Sequence, residues 1–187
     1  MKVVAFGQDG KTLASQRSFL ITEELTNVAS LEDICIQWPK KKATAAFKKA
    51  LLSEVTGIAR TLHENGINHR DFYLCHFLIS ISGQQAEARE KQQFKLFLID
   101  LHRAQQRPRV PFRWRVKDIG GLYFSAMDIG LSRCDLFRFI RLYTGKSIRQ
   151  TLREDQRFWN AVQYRAAKTY RKDFGRIPRK IKGLGRI

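Results

Sequence analysis

Residues 68–79 read NHRDFYLCHFLI, and the order of residue types in that stretch decides how the rest of the chain is read. His69, Arg70, Asp71 and His76 lead straight into the apolar run FLISIS, residues 77–82. Such a run belongs in a core, so the ionisable groups ahead of it are expected at the mouth of a buried strand. Just upstream, TAAFKKALLSEVTGIARTLHEN (44–65) places Phe47, Leu51, Val55, Ile58 and Leu62 at spacings of three and four, the pattern of a long amphipathic helix. Gly66 follows where a left-handed C-terminal residue belongs. Downstream, FLISIS and KLFLID (95–100) flank the polar GQQAEAREKQQ (83–93), a hairpin pattern whose second strand runs out on Asp100.

Working outward from this centre, KVVAFG (2–7) and RSFLITEEL (17–25) are β-prone runs joined through Asp9-Gly10, a turn signal, so residues 2–25 read as a hairpin ending in Glu23-Glu24. SLEDICIQW (30–38) has Ser30 as N-cap candidate and acids behind it, which predicts a short helix from Leu31. RAQQRPRVPFRWRVKD (103–118) holds Arg103, Arg107, Arg109, Arg113, Arg115 and Lys117 around two prolines without a clear period, and reads as a long ordered loop. IGGLYFSAMDIG (119–130), SRCDLFRFIRLYTG (132–145) and SIRQTLREDQRFWNAVQYRAAKTYRKDF (147–174) read as helices, the second between Ser132 and Gly145. The tail GRIPRKIKGLGRI (175–187) is basic, loosely patterned and expected to be mobile unless bound.

At 187 residues, one core is the default. Thirty-five Lys and Arg against 17 Asp and Glu give a formal charge of +18, which selects phosphates, anionic lipid surfaces or acidic proteins as partners without naming a reaction. The 3 cysteines, Cys35, Cys75 and Cys134, are widely spaced and lack a C-x-x-C, which argues against a disulfide framework or zinc ribbon and fits a reducing cytosol. No stretch approaches the roughly 18 to 20 apolar residues that span a bilayer, and MKVVAFGQDGK lacks the apolar region of a signal peptide. The chain is expected to be soluble or peripheral.

Two carboxylates, Asp71 and Asp100, are thus expected at the ends of neighbouring strands, where they can converge. That arrangement suits metal-assisted phosphoryl transfer: one carboxylate takes or orients the proton of an attacking hydroxyl, and the other holds the Mg²⁺ that bridges nucleotide phosphates. The order of elements adds to this. HRD, a hairpin and then an aspartate resemble the catalytic loop and metal-binding aspartate of the protein kinase-like fold. The hairpin ending in TEEL resembles its fourth and fifth strands and hinge, SLED the short helix after it, and 44–65 the long helix before the catalytic loop.

Over essentially the whole chain, SFLITEEL, HRDFYLCHFLI, LIDLHRAQ, FRWRVKDIGGLYFSAMDIGL and DLFRFIRLY resemble the lipopolysaccharide core heptose(I) kinases of the WaaP (RfaP) type. The resemblance implies an α+β protein kinase-like fold: a mainly helical C-terminal lobe with a catalytic β-hairpin (26–175), a remnant N-lobe hairpin and hinge (1–25), and a basic tail (176–187). It implies ATP and Mg²⁺ as cofactors. Asp71 becomes the catalytic base, with Arg70 and His76 beside it in the catalytic loop. Asp100 becomes the Mg²⁺ ligand in a DLH in place of DFG. His76, in place of the usual Asn, becomes either a metal ligand, for which imidazole suits Mg²⁺ poorly, or an orienting group for Asp71 or phosphate. Glu23 and Leu25 become backbone contacts to adenine. The glycine-rich loop and phosphate-pairing lysine of the fold should precede the first hairpin, and Gly7, Lys2 and Lys11 lack the context to replace them. The sequence is therefore read as lacking most of the small lobe, and unaided ATP turnover is not expected.

Each residue also has a plainer reading. His69 reads as packing for the loop, Arg70 as a loop anchor or a sensor of the following segment, and His102 as a feature of the turn after Asp100. Arg103, Arg113 and Arg115 read either as a solvated charge run or as guanidiniums that grip anionic core sugars and phosphates. Trp114 stacks on a sugar or anchors its own segment. Phe137, Phe139 and Tyr143 read as a helix seam. The acceptor implied is the lipopolysaccharide core/lipid A glycolipid, met at the inner face of the inner membrane by a peripheral cytoplasmic protein with a basic tail. An acidic protein such as an acyl carrier protein is a further candidate partner, and nucleic acid is the rival for the basic surface. Two other classes compete with the kinase. One is a metal-dependent hydrolase built on His69, Asp71, His76, Asp100 and His102; the other is a non-catalytic basic binding module, a degenerate kinase.

Overall fold

The computed structural model describes residues 2–12, 15–81 and 94–176; the polar insert of the second hairpin and the tail beyond Arg176 lie outside them. The first hairpin forms as expected. β1 (Val3–Asp9) pairs antiparallel with β2 (Arg17–Thr22), with Gly10 at φ 106° in the turn. β3 (Val28–Ser30) leads into α1 (Leu31–Cys35), where the Ser30 hydroxyl accepts the Asp33 N–H at 3.1 Å and so satisfies a donor that the helix start leaves open.

α2 (Ala45–Glu64) is capped by Thr44, whose hydroxyl accepts the Phe47 N–H at 3.2 Å. Its face of Phe47, Leu51 and Val55 is buried, with Ile58 and Leu62 packed at the margin, as their spacing predicts. Full burial of each such side chain is worth about 1.5–3 kcal/mol. Gly66 then turns the chain at φ 74°, and a Cβ there would lie 1.7 Å from the Arg107 carbonyl oxygen, so only glycine fits both the angle and the approach. β4 (Ile67–Asn68) leaves this turn. A 3₁₀ turn at Leu74–His76 opens β5 (Phe77–Ile81), which pairs with β6 (Phe94–Leu98) on one side and β3 on the other. The predicted hairpin is therefore the centre and edge of a three-stranded antiparallel sheet, with Phe77 opposite Leu98.

After a second 3₁₀ turn at Leu101–Arg103, β7 (Gln105–Gln106) pairs with β4. Here the structure departs from the expected loop. α3 (Phe112–Ser125) begins right after Pro111, so Arg113, Trp114, Arg115 and Lys117 lie on helical turns. Proline is tolerated where a helix starts because the N–H it lacks has no intrahelical partner there. The arginines occupy the solvated first turns and mask the buried phase of Val116, Ile119 and Leu122. α4 (Arg133–Thr144) has the expected Ser132 cap, closed into a capping box by Asp135, and ends on Gly145 at φ 69°. The single helix expected over 147–174 is two, α5 (Ile148–Glu154) and α6 (Gln156–Phe174), broken at Asp155.

α3 packs chiefly on α6, and α2 on α4. A Cβ on Gly120 would meet the Arg165 stem at 3.2 Å, and one on Gly121 would meet the Phe72 carbonyl oxygen at 3.1 Å. The glycine pair thus lets α6 and residues 72–73 close on adjacent faces of one helix. Phe72, Phe77, Ile119, Phe158 and Trp159 fill the core beneath. Among the described residues no helix is long and apolar enough to cross a membrane.

Candidate active site

β4, β7 and the backbone around them bring the 68–76 segment against the 99–107 segment. The Ile99 N–H donates to the His76 carbonyl at 3.0 Å, the Arg107 N–H to the Gly66 carbonyl at 2.9 Å, and the Arg107 guanidinium to the Asn68 side-chain oxygen at 2.7 Å. His69 is fully buried and its Nε2 donates to the Ile99 carbonyl at 3.0 Å. Nδ1 is then a bare acceptor without a partner among the described residues, and burial lowers the His69 pKa. His69 is a neutral, inward-facing group that ties the two segments together.

The loop itself is clamped from below by a residue that the sequence reading did not single out. Asp118 on α3 is fully buried; one carboxylate oxygen accepts the His69 N–H at 2.7 Å and the other the Arg70 N–H at 2.8 Å, and His63 approaches at 3.3 Å with its far nitrogen on the Tyr143 hydroxyl at 2.6 Å. Arg70 sits at φ 77°, a conformation costing a non-glycine residue about 1–3 kcal/mol. Two charge-assisted bonds to adjacent N–H groups offset that cost. A carboxylate within the otherwise apolar buried phase of a helix was the available signal, since burial without partners is prohibitive. A smaller support is the Ser125 hydroxyl, which accepts the Leu74 N–H at 3.0 Å.

On this base Asp71 is largely buried, its side chain 17% exposed, and Arg103 reaches it at 3.0 Å. Lys117, from α3, lies 3.7 Å from its other oxygen. Asp100 stands at φ 64° with its side chain 37% exposed. His102 hydrogen-bonds one Asp100 oxygen, and His76 Nε2 lies 3.3 Å from the other. The His102 hydrogen bond, outweighing burial, holds the Asp100 carboxyl below its ordinary pKa.

His76 links the two acidic positions. Its Nδ1 lies 2.6 Å from the Asp71 backbone oxygen. A carbonyl cannot donate, so Nδ1 carries the hydrogen, and Nε2 of the neutral ring is an acceptor facing a carboxylate oxygen. Two acceptors so close are bridged by a proton or by a cation. Ligands of an octahedral Mg²⁺ at about 2.0–2.1 Å stand about 3 Å apart, so His76 and Asp100 are spaced as neighbouring ligands of such an ion. Among the described residues no group of three or more His, Cys, Asp or Glu is arranged to hold a metal ion. Mg²⁺ needs only one or two protein ligands when phosphates and water supply the rest, so the donor set fits a metal–nucleotide better than a self-sufficient transition-metal centre.

The site thus gathers Asp71, His76, Asp100, His102, Arg103 and Lys117. Arg70 turns its guanidinium over the Trp114 ring at 4.9 Å, and Arg113, exposed, flanks the same ring at 5.1 Å. Arg115 instead lies over Phe158 at 4.8 Å, on the α6 side. Glu23 follows β2, with its N–H on the Lys2 carbonyl at 2.9 Å and its carboxylate paired with Lys2 at 3.3 Å; Leu25 is half-buried in the segment leading to β3.

Residues 1–143 match the lipopolysaccharide kinase (Kdo/WaaP) family. The chain is 42% identical over 167 residues to the lipopolysaccharide core heptose(I) kinase WaaP of Escherichia coli, covering 88% of this chain and 61% of that one. It is 40% identical over 170 residues to the WaaP of Pseudomonas aeruginosa, covering 91% and 62%. It therefore spans about three-fifths of the length of these curated relatives. The solved structure described as WaaP in complex with acyl carrier protein superposes with a TM-score of 0.81 at 40% identity, over 91% of this chain and 69% of that one. The fold is accordingly the α+β, kinase-like one that the order of elements implied, and the chain belongs to the lipopolysaccharide kinase (Kdo/WaaP) family.

Proposed function

We propose that this chain performs the phosphoryl transfer of a lipopolysaccharide core heptose(I) kinase, moving the terminal phosphoryl group of ATP to a hydroxyl of the first heptose of the inner core. The observation that carries this reading is that one ring nitrogen of His76 holds the Asp71 backbone carbonyl while the other faces the Asp100 carboxylate, with Arg103 and Lys117 beside the Asp71 carboxylate. Asp71 is the proton acceptor. As the acceptor oxygen forms its bond to phosphorus, its proton passes to the Asp71 carboxylate, and the bond from phosphorus to the bridging oxygen breaks with its electron pair leaving on ADP. Asp100, with His76, would hold Mg²⁺, which would supply neutralisation of the phosphate charge. The Arg70 backbone, held by Asp118, fixes where Asp71 points.

Glu23 and Leu25 present backbone groups to the adenine, with 1–25 as the nucleotide-side segment, 26–175 as the catalytic lobe and 176–187 as the basic tail. Arg103 and Arg113, with Arg115 behind them, meet the phosphates and acidic sugars of the glycolipid, for which the charge of +18 is suited. The same charge supports a peripheral position on the anionic inner face of the inner membrane, each basic residue near the surface contributing about 1 kcal/mol. It supports an acyl carrier protein as partner as well, the partner named in the solved structure of the relative.

The test is to incubate the protein with labelled ATP, Mg²⁺ and lipopolysaccharide whose heptose lacks phosphate. Label on the first heptose is the expected result. ATP bound but no label transferred contradicts the reading. No ATP bound, with binding to acidic lipid vesicles intact, supports the non-catalytic module in its place.

A further inference from the structure

Lys117 is a cation that the fold has placed without giving it a job. Its ammonium lies 3.7 Å from Asp71, beyond hydrogen-bonding distance, and 5.7 Å from the Trp114 ring, and among the described residues it has no other recorded partner. The side chain is only 17% exposed, so its position was obtained by desolvating most of the stem. Arg103 reaches both oxygens of Asp71, at 3.0 and 3.2 Å, so that carboxylate is already paired. The residues right after Asp71 add no cation: Phe72 is buried in the core and Tyr73 packs edge-on against Phe124. Positive charge at the reacting centre comes instead from α3 and the turn after Asp100.

We propose that Lys117 is a catalytic residue that contacts the phosphoryl group in transit, donating hydrogen bonds to its non-bridging oxygens while Asp71 takes the proton of the attacking hydroxyl. The proposal rests on the reading of Asp71 as proton acceptor. A partly buried ammonium beside one shared carboxylate is under-neutralised. Burial is the main cause that lowers its pKa, opposed by Asp71 and reinforced by Arg103, Arg70 and Arg165. An incoming phosphoryl group, with its negative oxygens, supplies the missing counter-charge where charge spreads during transfer. A compact ammonium suits this task because it follows a moving group, whereas a guanidinium fork locks onto one geometry.

The experiment uses inorganic triphosphate as a probe and reads lysine ε-carbon NMR signals after reductive ¹³C-methylation, with the Lys117 signal assigned by its loss in Lys117→Arg. Triphosphate is expected to shift the Lys117 signal at concentrations that leave the lysines of α6 unmoved. Lys117→Gln is expected to weaken triphosphate binding by about 10- to 100-fold, the loss of a charge-assisted hydrogen bond. Lys117→Arg restores most of that affinity, and Asp71→Asn, which removes the competing carboxylate, leaves it unchanged or tighter. A Lys117 signal that stays still while triphosphate binds, or a folded Lys117→Gln that binds it as tightly as wild type, overturns the proposal. Failure of the underlying reading looks different: Asp71→Asn then still transfers phosphate to heptose while Lys117 continues to respond to triphosphate.

Discussion

The loop at residues 68–71 and the hairpin β1–β2 are both short, polar-ended pieces of backbone, yet the protein holds them in opposite ways. The loop is buried, with adjacent N–H groups on the carboxylate of Asp118 and its histidine on the Ile99 carbonyl. The hairpin has its own ladder and little else: Phe6 is 64% exposed, Phe19 57% and Leu20 60%. The conformation of the loop is therefore written into the core of the described chain. The apolar faces of the hairpin are left without cover among the described residues, so they contribute little to that core. The first kind of region is the one suited to chemistry that needs sub-ångström placement.

The strongest way to break this contrast is to remove its clamp. Asp118→Ala strands two buried N–H groups and His63, and should cost about 4 kcal/mol of stability, read by urea unfolding, and abolish hydrogen-exchange protection at His69 and Arg70. A loss below about 1 kcal/mol would show that the loop is held by something else. Next comes Asp135, which pairs with Lys48 at 2.6 Å and closes the α4 capping box. Burial acts to raise its pKa, but Lys48 and Ser132 outweigh it and hold it below the ordinary value. A depressed carboxyl stabilises fully above its unfolded pKa and loses that contribution as pH falls through the folded one. Asp135→Asn should cost about 3 kcal/mol near neutral pH and flatten the loss of stability on the acid side of the carboxylate range.

Gly66→Ala should cost about 2 kcal/mol, because the new Cβ meets the Arg107 carbonyl and the backbone is left-handed. The effect should appear as loosening of β4–β7 in hydrogen exchange. At the weak end, Phe6→Ser in the hairpin should change unfolding free energy by no more than about 0.5 kcal/mol. A larger loss would mean that the hairpin is packed after all, and the contrast would fail.

What the sequence disclosed follows the same division. α2 and the central hairpin were legible because period, caps and terminator agree: Thr44 and Gly66 bracket a face of Phe47, Leu51 and Val55. Asp71 and Asp100 were legible as candidates because each flanks an apolar strand pattern. α3 was not, since prolines precede it, its first turns carry arginines whose reason is solvation and charge, and the buried phase starts only at Val116. Asp118 and Lys117 were hidden with it. Their roles come from which helix crosses beneath the loop, a tertiary fact that local pattern does not encode. The break at Asp155 was missed for the same reason: its neighbours are good helix formers, and the chain bends to pack α6 on α3.

The central claim is that Asp71 manages the proton of the transfer without helping to hold the nucleotide. Its most direct measurement compares Asp71→Asn with wild type for both ATP–Mg²⁺ affinity and the rate of phosphate transfer to heptose. The account predicts affinity within about threefold and a rate lower by about 10²–10⁴-fold, the range of a positioned general base. An Asp71→Asn protein that transfers phosphate at the wild-type rate, or that loses rate only as far as it loses nucleotide, would contradict it.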